Sequence, residues 1–292
     1  MRDKIYLALY YVLKCLVTLL PRFALKLLAQ IVAKIVFLCD QKHRKIIDTN
    51  LKICFPDHSP AQRKHIAQKI YANFAHFGID CLQNQNTTPA KILAKAHFDE
   101  PHILAAALES SRPLILTTAH YGNWELAPLA FAARFAPISI VGRRLDSKAM
   151  DKILSQNRTQ FDIELIDKKG GLKKMLKALK NGRTLGILTD QDCADNEAMR
   201  LEFFGKEVNF LLGASVLAKK TGALLIPCFV YQGQKGFHIR CFEAVDGIER
   251  SLLELTQHQA KSCEEMIKFK PDEYFFFHKR FRSFSAKIYE EG

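Results

Sequence analysis

The sequence of 292 residues lacks several features that would define its class at once. Its eight cysteines include no Cys-x-x-Cys pair, which disfavours a zinc site or a disulfide framework and favours reduced, mostly buried thiols. No uncharged apolar run is long enough to cross a bilayer. No small-x-small cleavage site follows the apolar N-terminus, so a cleaved signal peptide is not expected. No repeat, low-complexity tract or long linker marks a second globular domain.

Acidic residues are also scarce. The chain has 43 lysine and arginine residues against 30 aspartate and glutamate residues, which gives a formal net charge of +13. Such a charge attracts anionic partners, among them nucleic acid, an anionic membrane leaflet, a phosphorylated substrate or an acidic protein. Net charge alone does not choose among these classes.

The first 38 residues form two apolar runs, 5–20 and 23–38, separated by Pro21. Polar residues interrupt them at every fourth position, which on helices makes a narrow basic stripe on an apolar surface. A 16-residue helix rises roughly 24 Å and is shorter than the hydrocarbon core of about 30 Å. Two helices packed on a soluble core are one interpretation. We favour a membrane-associating segment over residues 1–38, which either spans the bilayer or lies in its interface, followed by the main domain over residues 39–292.

The main domain begins with polar helices up to about Gln83 and continues with alternating strands and helices. The predicted strands are 114–118, 138–141, 163–166, 184–189, 224–231 and 237–242. The predicted helices between and after them are 124–134, 147–161, 171–180, 211–221 and 250–269. This alternation predicts an α/β fold with a largely parallel central sheet flanked by helices.

The stretch His120-Tyr-Gly-Asn-Trp-Glu125 follows the first of these strands, at the edge of a parallel sheet where ligands bind. On a straight helix His120 and Glu125 would lie about 140° apart, so the turn formers Gly122 and Asn123 must fold them together. Neutral imidazole accepts a proton near neutral pH, and a carboxylate on its other nitrogen would orient it. A structural histidine beside a surface glutamate is the alternative, since the pair alone is a weak motif.

Seven motifs, in a fixed order between about residues 45 and 282, make the chain resemble a known family. Together they resemble the late acyltransferases of lipid A biosynthesis, within the lysophospholipid acyltransferase superfamily. The motifs are Asn50-Leu-Lys-Ile-Cys-Phe-Pro-Asp57, His120 to Glu125, Val141-Gly-Arg-Arg144, Leu188-Thr-Asp-Gln-Asp192, Phe203-Phe-Gly205, residues 217–227 and residues 271–281.

The resemblance implies transfer of a fatty acyl chain from acyl carrier protein to a hydroxyl of a Kdo-bearing lipid A precursor, a step of lipopolysaccharide biosynthesis. It implies a location among the lipids of the bacterial inner membrane, at its cytoplasmic face, and makes residues 39–292 an acyltransferase domain. His120 would be the general base, oriented by Glu125. No metal, cofactor or nucleic-acid partner is implied.

Three further residues match family positions and are expected to contact substrate. Arg143 is favoured over its neighbour Arg144 for a cation that holds a phosphate or stabilises an oxyanion, although a solvated basic loop is the alternative. Arg158 matches a second family arginine, with a position on a helix surface as the alternative. Asp190 is expected to line the site and to pair with an arginine.

Two other functions remain open from the residues alone. Asp190 and Asp192 form an Asp-x-Asp pattern typical of a metal-dependent glycosyltransferase, although Asp192 also suits a turn cap. The net charge suits a non-enzymatic module that binds anionic lipid or nucleic acid.

The aromatic and basic stretch 275–281 also suits nucleic-acid stacking. The preferred interpretation places its aromatic side chains in the core or against the membrane, with Lys279 and Arg280 at phosphate or solvent. The family form has tryptophan at Phe276 and often glycine at Asp162. The ordered motifs favour the acyltransferase, while acyl length, the acceptor hydroxyl and oligomeric state stay open.

Overall fold

A computed structural model describes residues 2–290. Serine and threonine caps begin several of its helices, including the two capping boxes at Ser59 and Ser251. The helices are α1 (Arg2–Leu19), α2 (Arg22–Cys39), α3 (Gln41–Cys54), α4 (Pro60–Gln83), α5 (Pro89–Leu93), α6 (Pro101–Glu109), α7 (Leu126–Arg134), α8 (Lys148–Arg158), α9 (Leu172–Lys180), α10 (Gly213–Thr221) and α11 (Leu252–Phe269).

The strands form one large sheet and a separate hairpin. They are β1 (Ala96–Phe98), β2 (Leu114–Thr118), β3 (Ile138–Gly142), β4 (Ile163–Asp167), β5 (Thr184–Leu188), β6 (Ala198–Phe203), β7 (Lys206–Leu211), β8 (Leu224–Gly233), β9 (Gly236–Cys241) and β10 (Val245–Asp246). The sheet has the order β1-β9-β8-β2-β5-β3-β4, with β10 paired to β8. Strands β8, β2, β5, β3 and β4 pair in parallel, whereas β9 and β10 run antiparallel to β8.

The expected α/β fold with a mostly parallel sheet is therefore confirmed, and all six predicted strands are present within two residues of their expected ends. Strands β1 and β10 and the β6–β7 hairpin are not among the predicted elements. The first two are only three and two residues long. The hairpin is interrupted by charged residues on its exposed face, which hides the apolar alternation.

Alternating side chains of the central strands pack on opposite faces of the sheet. Leu114 and Leu116 of β2 pack with α6 and α7 on one face, whereas Ile115 packs with α9, α10 and α11 on the other. This alternation follows from the two-residue period of a strand. Four of the eight free cysteines are buried, two are partly buried, and Cys15 and Cys39 are exposed, so the expectation of mostly buried thiols is correct only in part.

The N-terminal segment forms the two helices that the apolar runs predict. Helix α2 packs along α4 through Leu25, Ala29, Ala33 and Phe37, and α1 contacts α4 and α8. Most of the exposed large apolar side chains in the described chain lie on α1 and α2. Within residues 2–290, every helix is too short or too polar to traverse a bilayer.

Candidate active site

His120 and Asp190 meet at the carboxyl-terminal edge of the sheet. His120 follows β2 and Asp190 follows β5, and these two strands are parallel neighbours. The Nδ1 atom of His120 lies 2.9 Å from Oδ1 of Asp190. The backbone ladder continues beyond the strands, because Thr189 N donates to Thr118 O at 3.0 Å. Strand pairing therefore fixes a contact between residues that are 70 positions apart.

The pKa values of this pair indicate how its proton is held. Burial lowers the pKa of His120, but the charge and hydrogen bond of Asp190, with help from the charge of Glu125, leave it above the usual histidine value. Burial raises the pKa of Asp190, but His120 outweighs it and leaves that pKa below the usual range. Asp190 therefore stays ionised and accepts the Nδ1 proton, which leaves Nε2 of His120 as the proton acceptor.

The turn after His120 depends on Gly122, whose φ is +54°. A β-carbon there would lie 1.8 Å from the carbonyl oxygen of Val230, so no other residue fits without moving β8. Gly122 N donates to Glu273 O at 2.8 Å, and Asn123 Oδ1 accepts from Leu126 N at 3.2 Å. The bend predicted at Gly122 and Asn123 is confirmed, and it leads directly into α7.

Glu125 and Arg158 form a second polar pair beside the first. Arg158 at the end of α8 donates through Nε to Oε2 of Glu125 at 2.8 Å, and its terminal nitrogen donates to Oε1. Both side chains are largely buried, at 8% and 17% exposure. Burial lowers the pKa of Arg158, but Glu125 outweighs it, so that pKa is raised. The charges of both residues act on His120.

These pairs correct two expectations about which residues touch. The carboxylate on the His120 ring is Asp190 rather than Glu125, because the strand ends bring Asp190 to Nδ1 while the turn directs Glu125 toward α8. Asp190 is consequently bonded to a histidine and not to an arginine. Arg158 is not on a helix surface, since it closes the bidentate contact with Glu125.

The structure does not bring Arg143 or Arg144 to this group. The side chain of Arg143 is 83% exposed and lies 3.7 Å from Asp146. Arg144 contacts Asp151 and Asp167. Both arginines lie on the loop between β3 and α8, and a contact of Arg143 with substrate remains a prediction.

The Asp-x-Asp pattern is divided between two different partners. Asp190 contacts His120, whereas Asp192 Oδ2 accepts from Arg282 Nε at 3.1 Å. The two carboxylates therefore have separate structural partners and do not converge on one point. No observation here favours the glycosyltransferase interpretation.

The C-terminal stretch 273–280 lies directly behind the pair. Its backbone bridges to the motif, with Phe275 N donating to His120 O at 2.8 Å. Arg280 is fully buried, donates to Asn209 O and lies over the rings of Phe203 and Phe210. The expectation that Arg280 meets phosphate or solvent is therefore wrong, whereas Lys279 is exposed and the buried Phe276 is in the core.

Buried polar atoms of the same stretch surround Asp190. Among the described residues, Asp190 Oδ2, Tyr274 Oη and His278 Nε2 are buried and have no hydrogen-bond partner. Burial lowers the pKa of His278 to about 4, and burial and Asp190 together raise the pKa of Tyr274. Asn50 holds this segment by donating to the carbonyls of Phe276 and His278 at 2.9 Å.

Two compartments meet at Trp124, the residue that lines both of them. A narrow cavity of about 80 Å³ runs under the sheet edge, a volume below the usual range of ligand pockets. Its lining is apolar except at the Glu125–Arg158 end and includes Phe98, Leu104, Leu116, Phe131, Ile138, Ile140, Gly186 and Ile239. The second compartment is a wide groove on the other side of Trp124, bounded by α2, α4 and the β8–β9 turn.

Aromatic rings position Trp124 against the histidine. Its indole stacks on Phe77 at 4.2 Å, and the ring of His120 lies 5.2 Å from it in an edge-on arrangement. Phe275 contacts both rings, at 6.0 Å from His120 and 5.9 Å from Trp124. Trp124 and Tyr274 lie inside two of the family motifs, but their residue types and positions predicted no role for them.

A histidine–carboxylate pair at a strand end is an arrangement that general-base enzymes use. The model of the bacterial lipid A biosynthesis acyltransferase family matches residues 2–283. The chain belongs to this family, and the resemblance seen in the sequence motifs is confirmed.

Three acyltransferases are similar to this chain at low sequence identity. The lipid A biosynthesis lauroyltransferase of Escherichia coli K12 is 25% identical over 256 residues, which covers 83% of this chain and 80% of the relative. The palmitoleoyltransferase of the same strain is 22% identical over 250 residues, with the same coverage. The phosphatidylinositol mannoside acyltransferase of Mycobacterium tuberculosis CDC 1551 is 23% identical over 175 residues, and the match covers 59% of this chain but only 55% of that relative.

Proposed function

We propose that this protein transfers a fatty acyl chain from acyl carrier protein to a hydroxyl of a Kdo-bearing lipid A precursor. The observation that carries the proposal is the His120–Asp190 pair, which lies beside Trp124, the side chain shared by an apolar cavity and a groove of mixed polarity. An apolar chain and a hydroxylated headgroup need these two environments. The motifs that build the site are those by which the chain resembles the family.

The proposed reaction is a direct acyl transfer. Asp190 accepts the Nδ1 proton of His120, so Nε2 takes the proton of the acceptor hydroxyl as its oxygen attacks the thioester carbonyl carbon. The tetrahedral intermediate collapses with cleavage of the carbon–sulfur bond. The imidazolium then returns its proton to the departing carrier thiolate. An ester and a free carrier thiol are the products, and the enzyme is regenerated.

Glu125 and Arg158 are assigned to the carbonyl end of the acyl chain. Both line the cavity at its polar end, and the bidentate contact fixes the guanidinium plane. A fixed guanidinium in a partly water-excluded site stabilises the negative charge that develops on the carbonyl oxygen. The apolar remainder of the cavity is assigned to the hydrocarbon chain, and its volume of about 80 Å³ requires it to widen when the chain enters. In this proposal Arg158 takes the role expected of Arg143, and Arg143 is left for an outer contact with substrate.

The inner membrane, at its cytoplasmic face, is the proposed location. The outer faces of α1 and α2 expose Leu9, Val12, Phe23, Leu27 and Ile35, which would be costly in water and favourable in a lipid interface. The basic excess of the chain adds attraction to anionic lipids. Residues 1–38 would thus be the membrane-associating segment and residues 39–292 the acyltransferase domain.

Mass spectrometry of lipid A tests the proposed function. Lipid A would be compared between cells that have the gene, cells that lack it, and cells that carry a plasmid-borne copy with His120→Ala. We expect the loss of one acyl chain on deletion, restored by the wild-type copy but not by the variant. Unchanged lipid A after deletion would contradict the proposal.

A further inference from the structure

Five lysine and arginine side chains line the groove, and the charge of one of them, Lys26 of α2, acts on His76 of α4. The other four are Arg22, Lys91, Lys95 and Lys235. Lys91 belongs to α5, Lys95 follows it, Lys235 lies in the β8–β9 turn and Arg22 begins α2; all four line the groove. Lys95 O accepts from Phe237 N at 2.7 Å and Lys235 O contacts His97 Nε2 at 3.1 Å, which ties the turn to the Lys95 segment. The charge of Arg22 acts on Lys95.

These four cations lack carboxylate partners. Within residues 2–290 no ion pair includes any of them; this sets Arg22 apart from most other arginines of the protein, whereas most of its lysines are likewise unpaired. Lys95 donates to the neutral oxygen of Asn84. Burial lowers the pKa of Lys95, despite an opposing effect of Asp80. A bound anion would stabilise the charged form of this half-buried amine, which the protein itself leaves poorly compensated.

The cluster is connected to the catalytic motif by one carboxylate. Asp80 lies within electrostatic reach of Lys95, and it accepts from Asn123 Nδ2 at 3.5 Å. Burial raises the pKa of Asp80 to about 6, so it offsets only one of four positive charges near neutral pH. The same groove is lined by Leu25 of α2 and by Trp124. It thus extends from the proposed membrane-facing helix to the catalytic motif.

We infer that Arg22, Lys91, Lys95 and Lys235 form a binding site for a phosphate group on the headgroup of the acceptor glycolipid. This inference rests on the proposed function, because it assigns the groove to the acceptor. Lysine ammonium groups bind phosphate as point charges and arginine binds it through a fork of donors. A glycolipid whose chains remain beside α2 would place its phosphate here and a hydroxyl near His120.

The test measures binding of a Kdo-bearing lipid A precursor, with and without its phosphate groups, in neutral detergent and without an acyl donor. The variant is Lys91→Gln/Lys95→Gln, which keeps side-chain length and hydrogen bonding. We expect the Kd for the phosphorylated acceptor to rise about tenfold and the Kd for the dephosphorylated acceptor to stay within about twofold. The control Lys173→Gln/Lys177→Gln removes two exposed charges from α9 and should change neither value.

Three results would overturn the inference. The first is an unchanged Kd for the phosphorylated acceptor, and the second is an equal rise in Kd for both acceptors. The third comes from a separate vesicle-flotation assay: the double variant binds anionic vesicles more weakly than the wild type does, with no change in acceptor binding or in binding to neutral vesicles. The last result would assign these lysines to bilayer phosphates. Turnover measured separately distinguishes the two proposals, because absence of transfer by the wild type contradicts the function while phosphate-dependent binding still supports the anion site.

Discussion

The cavity and the groove on either side of Trp124 differ in nearly every physical property. The cavity is narrow, is lined by the apolar side chains of β2, β3 and α7, and carries charge only where Glu125 meets Arg158. The groove is wide and is lined by five lysine and arginine side chains, none of which has an ion pair in the part of the chain that the structure describes. The former suits a hydrocarbon chain that excludes water, and the latter a hydrated, charged headgroup. Under the proposed function, the donor would approach His120 from the cavity and the acceptor from the groove.

The largest effect on activity is expected from breaking the His120–Asp190 contact, because the proposed reaction needs it whichever substrate is varied. Asp190→Asn removes the carboxylate from Nδ1 of His120 and should lower kcat by ~10²–10⁴-fold with either substrate saturating. The pH profile supplies a second readout. The base must be neutral, and the pKa of His120 lies above the usual value, so the activity of the wild type should rise through that higher pH.

Burial lowers the pKa of His120, and in Asp190→Asn the charge of Asp190 no longer opposes that effect. The pKa of His120 therefore falls, and the rising limb of the pH profile moves to lower pH. Asp192→Asn is the matched control, because its partner Arg282 is exposed and belongs to neither compartment. A limb that does not move in Asp190→Asn would show that Asp190 does not set the proton affinity of His120.

The next largest effect is expected from breaking the Glu125–Arg158 contact at the polar end of the cavity. Glu125→Gln leaves the guanidinium of Arg158 buried without a countercharge, so we expect a loss of roughly 3–5 kcal/mol in the free energy of unfolding as well as a loss of activity. The double variant Glu125→Gln/Arg158→Gln should recover part of that stability but not the activity. Chemical denaturation and transfer assays on the same proteins separate the two effects, and a fully stable, active Glu125→Gln would contradict the assignment.

Gly186 lines the apolar cavity and not the groove, so a substitution there tests the cavity separately. A β-carbon there would meet Ile140 Cγ2 at 3.3 Å and Ile138 Cδ1 at 3.4 Å, so Gly186→Val both fills the cavity and presses on β3. Selectivity, expressed as a ratio of kcat/KM values, should shift toward shorter acyl donors by ~10–200-fold, a range that one to three kcal/mol of contact energy provides.

Gly186→Ala should give a smaller shift in the same direction, and acceptor KM should stay constant in both variants. An equal fall for short and long donors would indicate general damage to the sheet instead of a filled acyl site.

The smallest effect on kcat is expected from a substitution of Tyr274, which lies behind the His120–Asp190 pair. Tyr274→Phe removes a buried hydroxyl whose pKa responds to Asp190 but which has no hydrogen-bond partner, so kcat should fall by no more than about fivefold, or roughly 1 kcal/mol. The pKa read from the pH profile should shift as well, because the environment of Asp190 changes. A reduced kcat with an unchanged profile would assign Tyr274 a packing role only.

The sequence predicted the scaffold better than the contacts made on it. Strand β2 and the turn at Gly122 follow from local pattern and backbone sterics, so His120 could be placed at a sheet edge. The partner of His120 depends on which strand lies beside β2, and β5 reaches that position through a crossover that local pattern does not encode. The Glu125–Arg158 contact depends similarly on how α8 packs. The exposed position of Arg143 depends on a loop, for which no periodic signal exists.

The most direct test of the central claim is acyl transfer by the purified full-length protein in detergent micelles. The acyl donor is acyl carrier protein loaded with an isotopically labelled fatty acid, and the acceptor is a Kdo-bearing lipid A precursor. We predict one labelled ester per acceptor with the wild type and at least a ~10²-fold slower rate with His120→Ala, while circular dichroism shows both proteins folded. Equal rates for the two proteins would contradict His120 as the general base, and no labelled product with the wild type would contradict the proposed reaction.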